Sequence, residues 1–436
     1  KILNSLKNRF QNGDYPDYKE RIDRINRLKL LVEENSENFH KALQNDFGTR
    51  HEQLSLLSDT LPIIASAKHV SKNLSKWMKP EKRKPNFPLG LLGAKAFIHN
   101  QPYGVVGIIS PWNFPLNLSL GPLVEVFAAG NNSMMKLSEF VPETSDLTEK
   151  LVKQYFREDE VVVINGGPQT SQSFAGLAFD HLLFTGSTHV AKKIAYEASE
   201  NLVPLTLELG GKSPVIVGPK AKMKKSVDKI MMGKLLNAGQ ICISPDYVFL
   251  PEGKENEFVE HAKSYVQESY ETLKNNPDYT SIIHLNHYER LRSYILDAKS
   301  KGAEIVEINP ANEDLAQQEH HKIPPTLILN PTDDMEVMKN EIFGPILPVM
   351  SYKNFDETIK YVNHNPKALA LYYFGDDAKE VDDLLNKTTS GQLVTNDVLF
   401  QFSMHDLPFG GVGPSGSGSY HGHDGYRNFS HKRAVL

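Results

Sequence analysis

Only one of the 436 residues is a cysteine, Cys242. A single thiol excludes an intramolecular disulfide and a zinc site built from several cysteines, and it is typical of a reducing cytoplasm. No run of residues reaches the ~18 apolar positions needed to span a bilayer, so we expect no membrane partner. The 48 Lys and Arg residues do not exceed the 53 Asp and Glu residues, which leaves a formal net charge of −5. We therefore expect no nucleic-acid partner either, and a cytoplasmic protein.

The remaining composition is that of an ordinary globular protein, with 40% apolar and 23% charged residues. A chain of this length predicts two or three domains. Residues 1–79 have helical patterning. Short β-rich runs then alternate with stretches long enough for helices, which predicts two successive α/β units with parallel sheets. The predicted strands are Val105–Ser110, Ser133–Lys136, Val161–Asn165, His181–Thr185, Ser213–Val217, Tyr247–Leu250, Thr326–Asn330, Ile346–Ser351 and Ala370–Phe374.

Two motifs in the tail match known binding patterns, but we do not expect either of them to form the corresponding site. The segment from Gly411 to Gly416 matches GxGxxG formally, but too few residues follow it for a βαβ unit, and Pro414 stands where the helix would begin. We interpret it as a glycine loop that shapes a pocket. His421 and His423 lack a third ligand in the sequence, so no metal site is expected.

Six further segments occur in an order and spacing that carry chemistry. They are Pro111–Pro115 (PWNFP), Phe184–Thr188 (FTGST), Leu207–Pro214 (LELGGKSP), Asn237–Cys242 (NAGQIC), Glu341–Pro345 (EIFGP) and Pro408–Gly411 (PFGG). Together they resemble the aldehyde dehydrogenase superfamily, with a likeness that runs from about Asn100 to Leu436. The tail from Tyr420 to His431 is similar to the short, class 3-like branch. Phe179–Phe184 and Pro408–Gly416 look most like bacterial coniferyl aldehyde dehydrogenases.

The resemblance implies an α/β fold with three parts. A Rossmann-like NAD(P)-binding domain would comprise residues 1–84 and 103–208, and an α/β catalytic domain would comprise residues 209–412. A small β bridging element would comprise residues 85–102 and the tail 413–436. In this family such an element pairs two subunits, so a homodimer is expected.

Three residues match the catalytic positions of the family. Cys242 would be the nucleophile, because a thiolate adds to an aldehyde readily and later leaves from a thioester. Asn113 would donate to the oxyanion, although by itself it could be a turn residue. Glu208 ends an apolar run, so burial would raise its pKa toward that of a general base for thioester hydrolysis. Its alternative role is a strand-end carboxylate bound to backbone amides.

The cofactor site is also implied by the resemblance. Lys136 and Glu139 would bind the adenosine ribose, and an acid there favours NAD over NADP, which remains possible. Glu341 and Phe343 would hold the nicotinamide ribose and ring. Ala191 replaces a family glycine and could crowd the adenine side. The full set of predicted cofactor residues is Ile109, Ser110, Pro111, Trp112, Lys136, Ser138, Glu139, Gly166, Gly167, Gly186, Ser187, Leu209, Gly210, Glu341 and Phe343.

The expected reaction is the oxidation of an aldehyde by NAD⁺ and water to a carboxylate and NADH. An aromatic, coniferaldehyde-like substrate is favoured, with a long-chain aliphatic aldehyde as the alternative. Two other functions stay open at this point. A cysteine esterase would need no cofactor, and a binding or structural protein would use the scaffold without catalysis.

Overall fold

Three β-sheets organise the protein, whose computed structural model describes residues 1–436. The strands are β1 (Glu81–Arg83), β2 (Ala96–Pro102), β3 (Val105–Ile109), β4 (Asn132–Lys136), β5 (Val161–Ile164), β6 (His181–Gly186), β7 (Leu205–Leu209), β8 (Pro214–Val217), β9 (Tyr247–Pro251), β10 (Glu304–Glu307), β11 (Thr326–Leu329), β12 (Ile346–Tyr352), β13 (Ala370–Phe374), β14 (Gln392–Thr395), β15 (Gly416–Ser417) and β16 (Ser430–Val435). Every strand predicted from the sequence is present, and the predicted α/β class is confirmed.

Helices cover the sheets and supply most of the first 80 residues. They are α1 (Ile2–Gln11), α2 (Tyr18–Glu34), α3 (Ser36–Phe47), α4 (Glu52–Ser55), α5 (Leu61–Trp77), α6 (Asn117–Ala129), α7 (Pro142–Tyr155), α8 (Pro168–Ala175), α9 (Thr188–Ser199), α10 (Met223–Leu235), α11 (Glu255–Ser269), α12 (Leu285–Ser300), α13 (Glu336–Lys339), α14 (Phe355–His364), α15 (Ala378–Lys387) and α16 (Gly422–Asn428). No helix combines the length and the apolar character that a membrane crossing requires.

The N-terminal helices α2 and α3 follow each other directly, and Asn35 separates them. Helix α2 begins after Asp17, whose side chain accepts a hydrogen bond from the Glu20 N–H at 2.9 Å. Its apolar face buries Ile25 and Leu28 in the main core. The helix ends at Asn35, because the Asn35 side chain donates to the Leu31 carbonyl, and α3 begins at the next residue.

The six-stranded sheet has the order β15-β7-β6-β3-β4-β5, with all neighbours parallel except β15 and β7. From β3 the chain winds to β4 and β5, and then returns to the other side of β3 for β6 and β7. The winding therefore reverses between β3 and β6, and the carboxyl ends of these strands border the crevice where open α/β sheets bind ligands. This placement brings Ile109, Lys136, Gly186 and Leu209 to one edge of the sheet.

The other two sheets are a seven-stranded sheet, β10-β11-β12-β9-β8-β13-β14, and a three-stranded sheet, β1-β2-β16. The three-stranded sheet differs from the expected bridging element in two details. Strand β1 begins at Glu81, before the expected start of the bridging element at 85. Strand β15 pairs with β7 in the six-stranded sheet rather than with the bridging strands, because the tail covers the free edge of β7. The division into three domains itself stays a prediction.

Candidate active site

The loop that carries Cys242 is shaped by three consecutive residues with left-handed backbone conformations. Asn237, Ala238 and Gly239 have φ values of 51°, 52° and 73°. A side chain at Gly239 would collide with the backbone carbonyl of Gly344, so only glycine fits there. This contact packs the cysteine loop against the predicted cofactor segment that begins at Glu341.

Asn113 lies directly beside this loop. Its side-chain amide donates a hydrogen bond to the Gln240 carbonyl at 3.1 Å, two residues before Cys242. An amide nitrogen carries two hydrogens, so a second one remains for a ligand. The structure thus brings Asn113 and the Cys242 loop together, as the expected oxyanion role requires.

An ion pair that the sequence analysis missed supports Asn113 from behind. The fully buried Arg50 side chain contacts Asp59 and donates to the Asn113 carbonyl at 2.6 Å and to the Asn237 side chain at 3.3 Å. Asp59 accepts the backbone N–H groups of Leu116 and Asn117 at 3.2 and 3.3 Å. No local pattern around Arg50 in the sequence signals this burial.

Gln240 is a second supporting residue that sequence reasoning did not single out. Its Nε2 donates to the carbonyls of Asn237 and Ser281 at 3.0 and 2.9 Å. Its Oε1 accepts the Ile283 N–H at 3.0 Å. The first bond closes the turn before Cys242, and the other two anchor it to the distant segment at Ser281–Ile283.

Glu208 is buried, with 3% of its surface exposed, and neither carboxylate oxygen has a hydrogen-bond partner. Burial therefore raises the pKa of Glu208 well above its usual value. The residue lies on β7, where Gly416 of β15 pairs with it, and the Leu209 N–H donates to the Ser415 carbonyl at 3.1 Å. The glycine loop of the tail thus braces the strand that carries Glu208, which agrees with its interpretation as a loop that shapes a pocket.

The Cys242 thiol is in an environment that disfavours its charged form. Burial, and then the negative charges of Glu341 and Glu208, raise the pKa of Cys242 to about 12. This environment favours the thiol over the thiolate, which therefore needs a base to remove the thiol proton. An adjacent base with a raised pKa can accept that proton, and both glutamates meet this condition.

The Glu341 carboxylate faces the turn that follows β7. It accepts the Gly211 N–H at 3.0 Å, and a side chain at Gly210 would collide with it. Burial raises the pKa of Glu341 to about 7, although the Gly211 hydrogen bond and the charges of Arg290 and Lys212 lower it. The structure therefore brings together Gly210 and Glu341, two residues predicted to contact the cofactor.

Charged side chains hold the backbone around Glu341. Arg290 donates to the Glu341 and Ile342 carbonyls at 3.3 and 2.8 Å. Asp246, which pairs with Lys212, accepts the Ile342 N–H at 2.9 Å. Phe343 follows with a φ of 51°, and the edge of its ring meets Trp112 with ring centroids 5.4 Å apart. Two aromatic residues of the predicted cofactor set, Trp112 and Phe343, are therefore in contact.

The rest of the predicted cofactor set lies along the carboxyl edge of the six-stranded sheet. Lys136 donates to Glu139 at 2.7 Å. The buried hydroxyls of Ser110 and Thr185, at the carboxyl ends of β3 and β6, have no hydrogen-bond partner. The other members follow strand ends or begin helices; they are Ile109, Pro111, Ser138, Gly166, Gly167 before α8, and Gly186 and Ser187 before α9. This donor set fits a dinucleotide.

Ala191 does not line the crevice. It is 2% exposed and packs in a hydrophobic cluster with Phe184 and Ile194. Its methyl group faces the protein interior, because helix α9 turns this side toward the sheet. The expected crowding of the adenine side therefore has no geometric basis.

Comparisons with known proteins agree with this geometry. The chain is 54% identical, over 97% of its length and 87% of the relative, to a protein of Caulobacter vibrioides named "Probable coniferyl aldehyde dehydrogenase". It is 35% identical to mouse aldehyde dehydrogenase family 3 member A2, over 99% of the chain and 87% of the relative, which confirms the class 3-like resemblance. The structure of Staphylococcus aureus AldH in a substrate-bound state superposes with a TM-score of 0.93 and 34% identity, covering 100% of this chain and 93% of that one.

The profile of the aldehyde dehydrogenase family matches residues 7–435. This match covers nearly the whole chain and includes the N-terminal helices, where the motifs gave only a loose likeness. The chain therefore belongs to the aldehyde dehydrogenase family, and it is an enzyme of the NAD(P)-dependent type that is typical of that family.

Proposed function

We propose that the chain oxidises an aromatic aldehyde to its carboxylic acid, with Cys242 as the nucleophile. Glu341 accepts the proton of the Cys242 thiol. The resulting thiolate adds to the aldehyde carbon and forms a tetrahedral adduct, whose oxyanion accepts hydrogen bonds from the Asn113 amide and the Cys242 N–H. Loss of hydride leaves a thioester on Cys242. Glu208 then takes a proton from water, which attacks the thioester and releases the acid and the thiol.

The single observation that carries this proposal is the state of Glu208. Neither oxygen of the buried Glu208 carboxyl has a hydrogen-bond partner, and its charge acts on the thiol of Cys242, so it has no structural bond to maintain and is free to bind water. The alternative of a strand-end carboxylate bonded to backbone amides would require partners that its oxygens do not have. A cysteine esterase that needs no cofactor would use the same thiol. It would leave the hydroxyls of Ser110 and Thr185, which have no partner, without a function.

For the cofactor we propose NAD. When bound, the nicotinamide would accept the hydride. Lys136 and Glu139 would hold the adenosine ribose, and the Glu139 carboxylate would repel a 2′-phosphate. Glu341 and Phe343 would orient the nicotinamide end. A reducing cytoplasm would keep Cys242 a free thiol, so we propose this location as well.

The first test measures NADH absorbance with purified protein, NAD⁺ or NADP⁺, and coniferaldehyde, benzaldehyde, hexanal or acetaldehyde. We expect reduction of NAD⁺, fastest with coniferaldehyde, and a loss of about 10⁴-fold or more in Cys242→Ala. Preference for hexanal would favour the long-chain alternative, and preference for acetaldehyde would contradict both substrate classes. Ester cleavage without NADH formation by any aldehyde would favour the esterase.

We also propose a homodimer formed through the three-stranded sheet. Its outer strand β16 has a free edge, and so does β14 of the seven-stranded sheet, so the two could pair between subunits. Beside β1 and β2, the connecting loop exposes Phe87, Leu91 and Leu92 by 85%, 80% and 79%. Light scattering should give twice the 49.0 kDa chain mass. Replacing Phe87, Leu91 and Leu92 with serine should reduce the measured mass to that of one chain. A mass that stays at two chains would exclude this loop from the interface.

A further inference from the structure

Cys242 lies in a tight turn whose shape decides how the thiol is presented. Cys242 and Ile243 are the central residues of this turn, and the Ser244 N–H closes it by donating to the Ile241 carbonyl at 3.0 Å. Burial raises the pKa of Cys242, and hydrogen bonds from the N–H groups of Cys242 and Ile243 to the sulfur lower it. A group that holds a carbonyl of this turn therefore also holds the thiol and its donors in place.

Tyr372 supplies such a bond from the seven-stranded sheet. It lies on β13, is fully buried in the main core, and its hydroxyl donates to the Ile243 carbonyl at 2.6 Å. Burial raises the pKa of Tyr372 above its usual value, so the hydroxyl keeps the hydrogen that it donates. Because β13 pairs with β8 on one side and β14 on the other, the sheet fixes the place of this side chain.

Gln401 sets the direction of the Tyr372 hydroxyl. Its Nε2 donates to the Tyr372 oxygen at 3.0 Å, so this oxygen accepts one hydrogen bond and donates another. A hydroxyl has a single hydrogen, and the amide N–H on one side directs that hydrogen to the Ile243 carbonyl on the other. Gln401, Tyr372 and Ile243 therefore form a chain of hydrogen bonds that ends one residue after Cys242.

We propose that Tyr372 is a positioning residue for the reaction at Cys242, with Gln401 setting the direction of its hydroxyl. The inference rests on the proposed function, because it takes Cys242 as the nucleophile. Neither side chain exchanges a proton with the substrate. Tyr372 acts through the Ile243 carbonyl, and it holds the turn in the shape that directs the thiol at the aldehyde carbon and the Cys242 N–H at the oxyanion.

The next residue of β13 provides a matched control. Successive side chains of a strand point to opposite faces of the sheet, so Tyr373 packs in a different hydrophobic cluster, and its hydroxyl donates to Glu380 of α15. Both tyrosines are fully buried. Replacing either one with phenylalanine removes one hydroxyl and its hydrogen bonds, but only Tyr372→Phe removes a bond to the cysteine turn.

The test measures the rate constant of NADH formation in a single turnover, followed by NADH fluorescence. Enzyme is in saturating excess over coniferaldehyde, and NAD⁺ is also saturating. Under these conditions the rate constant does not depend on the fraction of active protein, so a loss of folded enzyme alone leaves it unchanged. We expect it to fall by about 10- to 100-fold in Tyr372→Phe and to stay within about 2-fold in Tyr373→Phe. The Kd for NAD⁺ should be the same in all three proteins.

An unchanged rate constant in Tyr372→Phe would overturn the inference, and so would an equal fall in Tyr373→Phe. No NADH from the natural protein with any aldehyde would instead contradict the proposed function, and this inference with it.

Gln401→Glu tests the direction of the hydroxyl. A carboxylate has no hydrogen to donate, so it accepts the Tyr372 hydroxyl and draws it away from the Ile243 carbonyl. We expect a rate constant close to that of Tyr372→Phe, and no further fall when the two changes are combined, because both remove the same bond. Gln401→Leu leaves the bond to Ile243 in place and should lower the rate constant less than Gln401→Glu.

The Gln401 variants also keep the inference testable if Tyr372→Phe does not fold, because Gln401 is only partly buried. A rate constant in Gln401→Glu equal to that of the natural protein would overturn the inference. Falls that multiply when Gln401→Glu and Tyr372→Phe are combined would overturn the role of Gln401, because independent bonds add their effects.

Discussion

Two neighbouring regions differ in how their buried polar groups are paired: the pocket around Cys242 and the layer of side chains behind it. In the pocket, both oxygens of Glu208 and the Ser110 hydroxyl have no partner. Behind it, Arg50 faces Asp59 and both bind the backbone of the Asn113 segment. Of the Arg50 and Asp59 pair only the Arg50 Nε has no partner, and the other polar atoms of the pair hold the loops in position.

This difference assigns separate roles to charge in the two regions. In the pocket, burial without a paired cation raises the pKa of Glu208 and prepares a group that exchanges protons. In the supporting layer, burial also raises the pKa of Asp59, to about 6, but the Arg50 charge and two backbone N–H groups lower it, and a proton on Asp59 would break the ion pair. Variants of the pocket residues should therefore change mainly the reaction rate, and variants of the supporting layer should change mainly the free energy of unfolding.

Among the variants that test this comparison, the largest effect is expected for Glu208→Gln. An amide cannot take a proton from water, so steady-state kcat should fall by about 10²–10⁴-fold. Addition of the thiol and hydride loss precede this step, so rapid mixing should still show a burst of about one NADH per site. Absorbance at 340 nm in a stopped-flow instrument measures both phases.

The matched control for this prediction is the exposed Glu260→Gln, whose kcat should equal that of the natural protein. A steady-state rate that stays unchanged in Glu208→Gln would remove Glu208 as the base. Loss of the burst as well would mean that Glu208 also takes the proton of Cys242.

The next largest effect is expected in the supporting layer, for Asp59→Asn. The change leaves the buried Arg50 charge without a counter-charge, which should lower the free energy of unfolding by about 3–5 kcal/mol. Urea unfolding followed by fluorescence measures this. Replacing Arg50 and Asp59 together with apolar residues should recover part of the stability but not the activity, because Asn113 loses its support. A single variant as stable as the natural protein would contradict a structural role for the pair.

A third prediction concerns pH and Glu125. Burial raises the pKa of Glu125 to about 8, so the folded state favours the neutral carboxyl. Its contribution to stability is complete below the ordinary carboxyl pKa of 4.5 and is lost as the pH rises toward 8. The slope is at most about 1.4 kcal/mol per pH unit for one group. His421 lines the same small cavity as Glu125. Burial lowers the pKa of His421 to about 3, so its ring stays neutral between pH 4.5 and 8.

Urea unfolding between pH 5 and 8 should therefore show a smaller loss of stability in Glu125→Gln than in the natural protein. Glu341, with a pKa of about 7, contributes in the same direction and remains in both proteins. Parallel stability curves for the two proteins would show that Glu125 is ionised at every pH in the fold.

Local signals in the sequence predicted the strands and the motif residues, and long-range contacts account for what it could not predict. Buried parallel strands such as β3 are continuous apolar runs, so their positions are written locally. Arg50 and Asn113 meet across 63 positions, and Glu125 and Gly422 across 297. Nothing near Arg50 or Glu125 distinguishes a buried charge from a solvated one. The helical patterning of residues 1–79 does not show where one helix ends and the next begins, because the boundary at Asn35 depends on a side-chain bond to the Leu31 carbonyl.

The smallest effect is expected for Ala191→Gly. The motif position of Ala191 predicts contact with the cofactor, whereas the burial of its methyl group predicts none, and this variant distinguishes the two. Because the Ala191 methyl group packs inside the protein, its removal should leave the Kd for NAD⁺ unchanged. It should cost about 1 kcal/mol of stability through the lower helix propensity of glycine. Ser110→Ala removes an atom of similar size from the crevice and should weaken NAD⁺ binding, measured by fluorescence quenching. Tighter binding in Ala191→Gly would restore the expectation that this methyl group crowds the adenine.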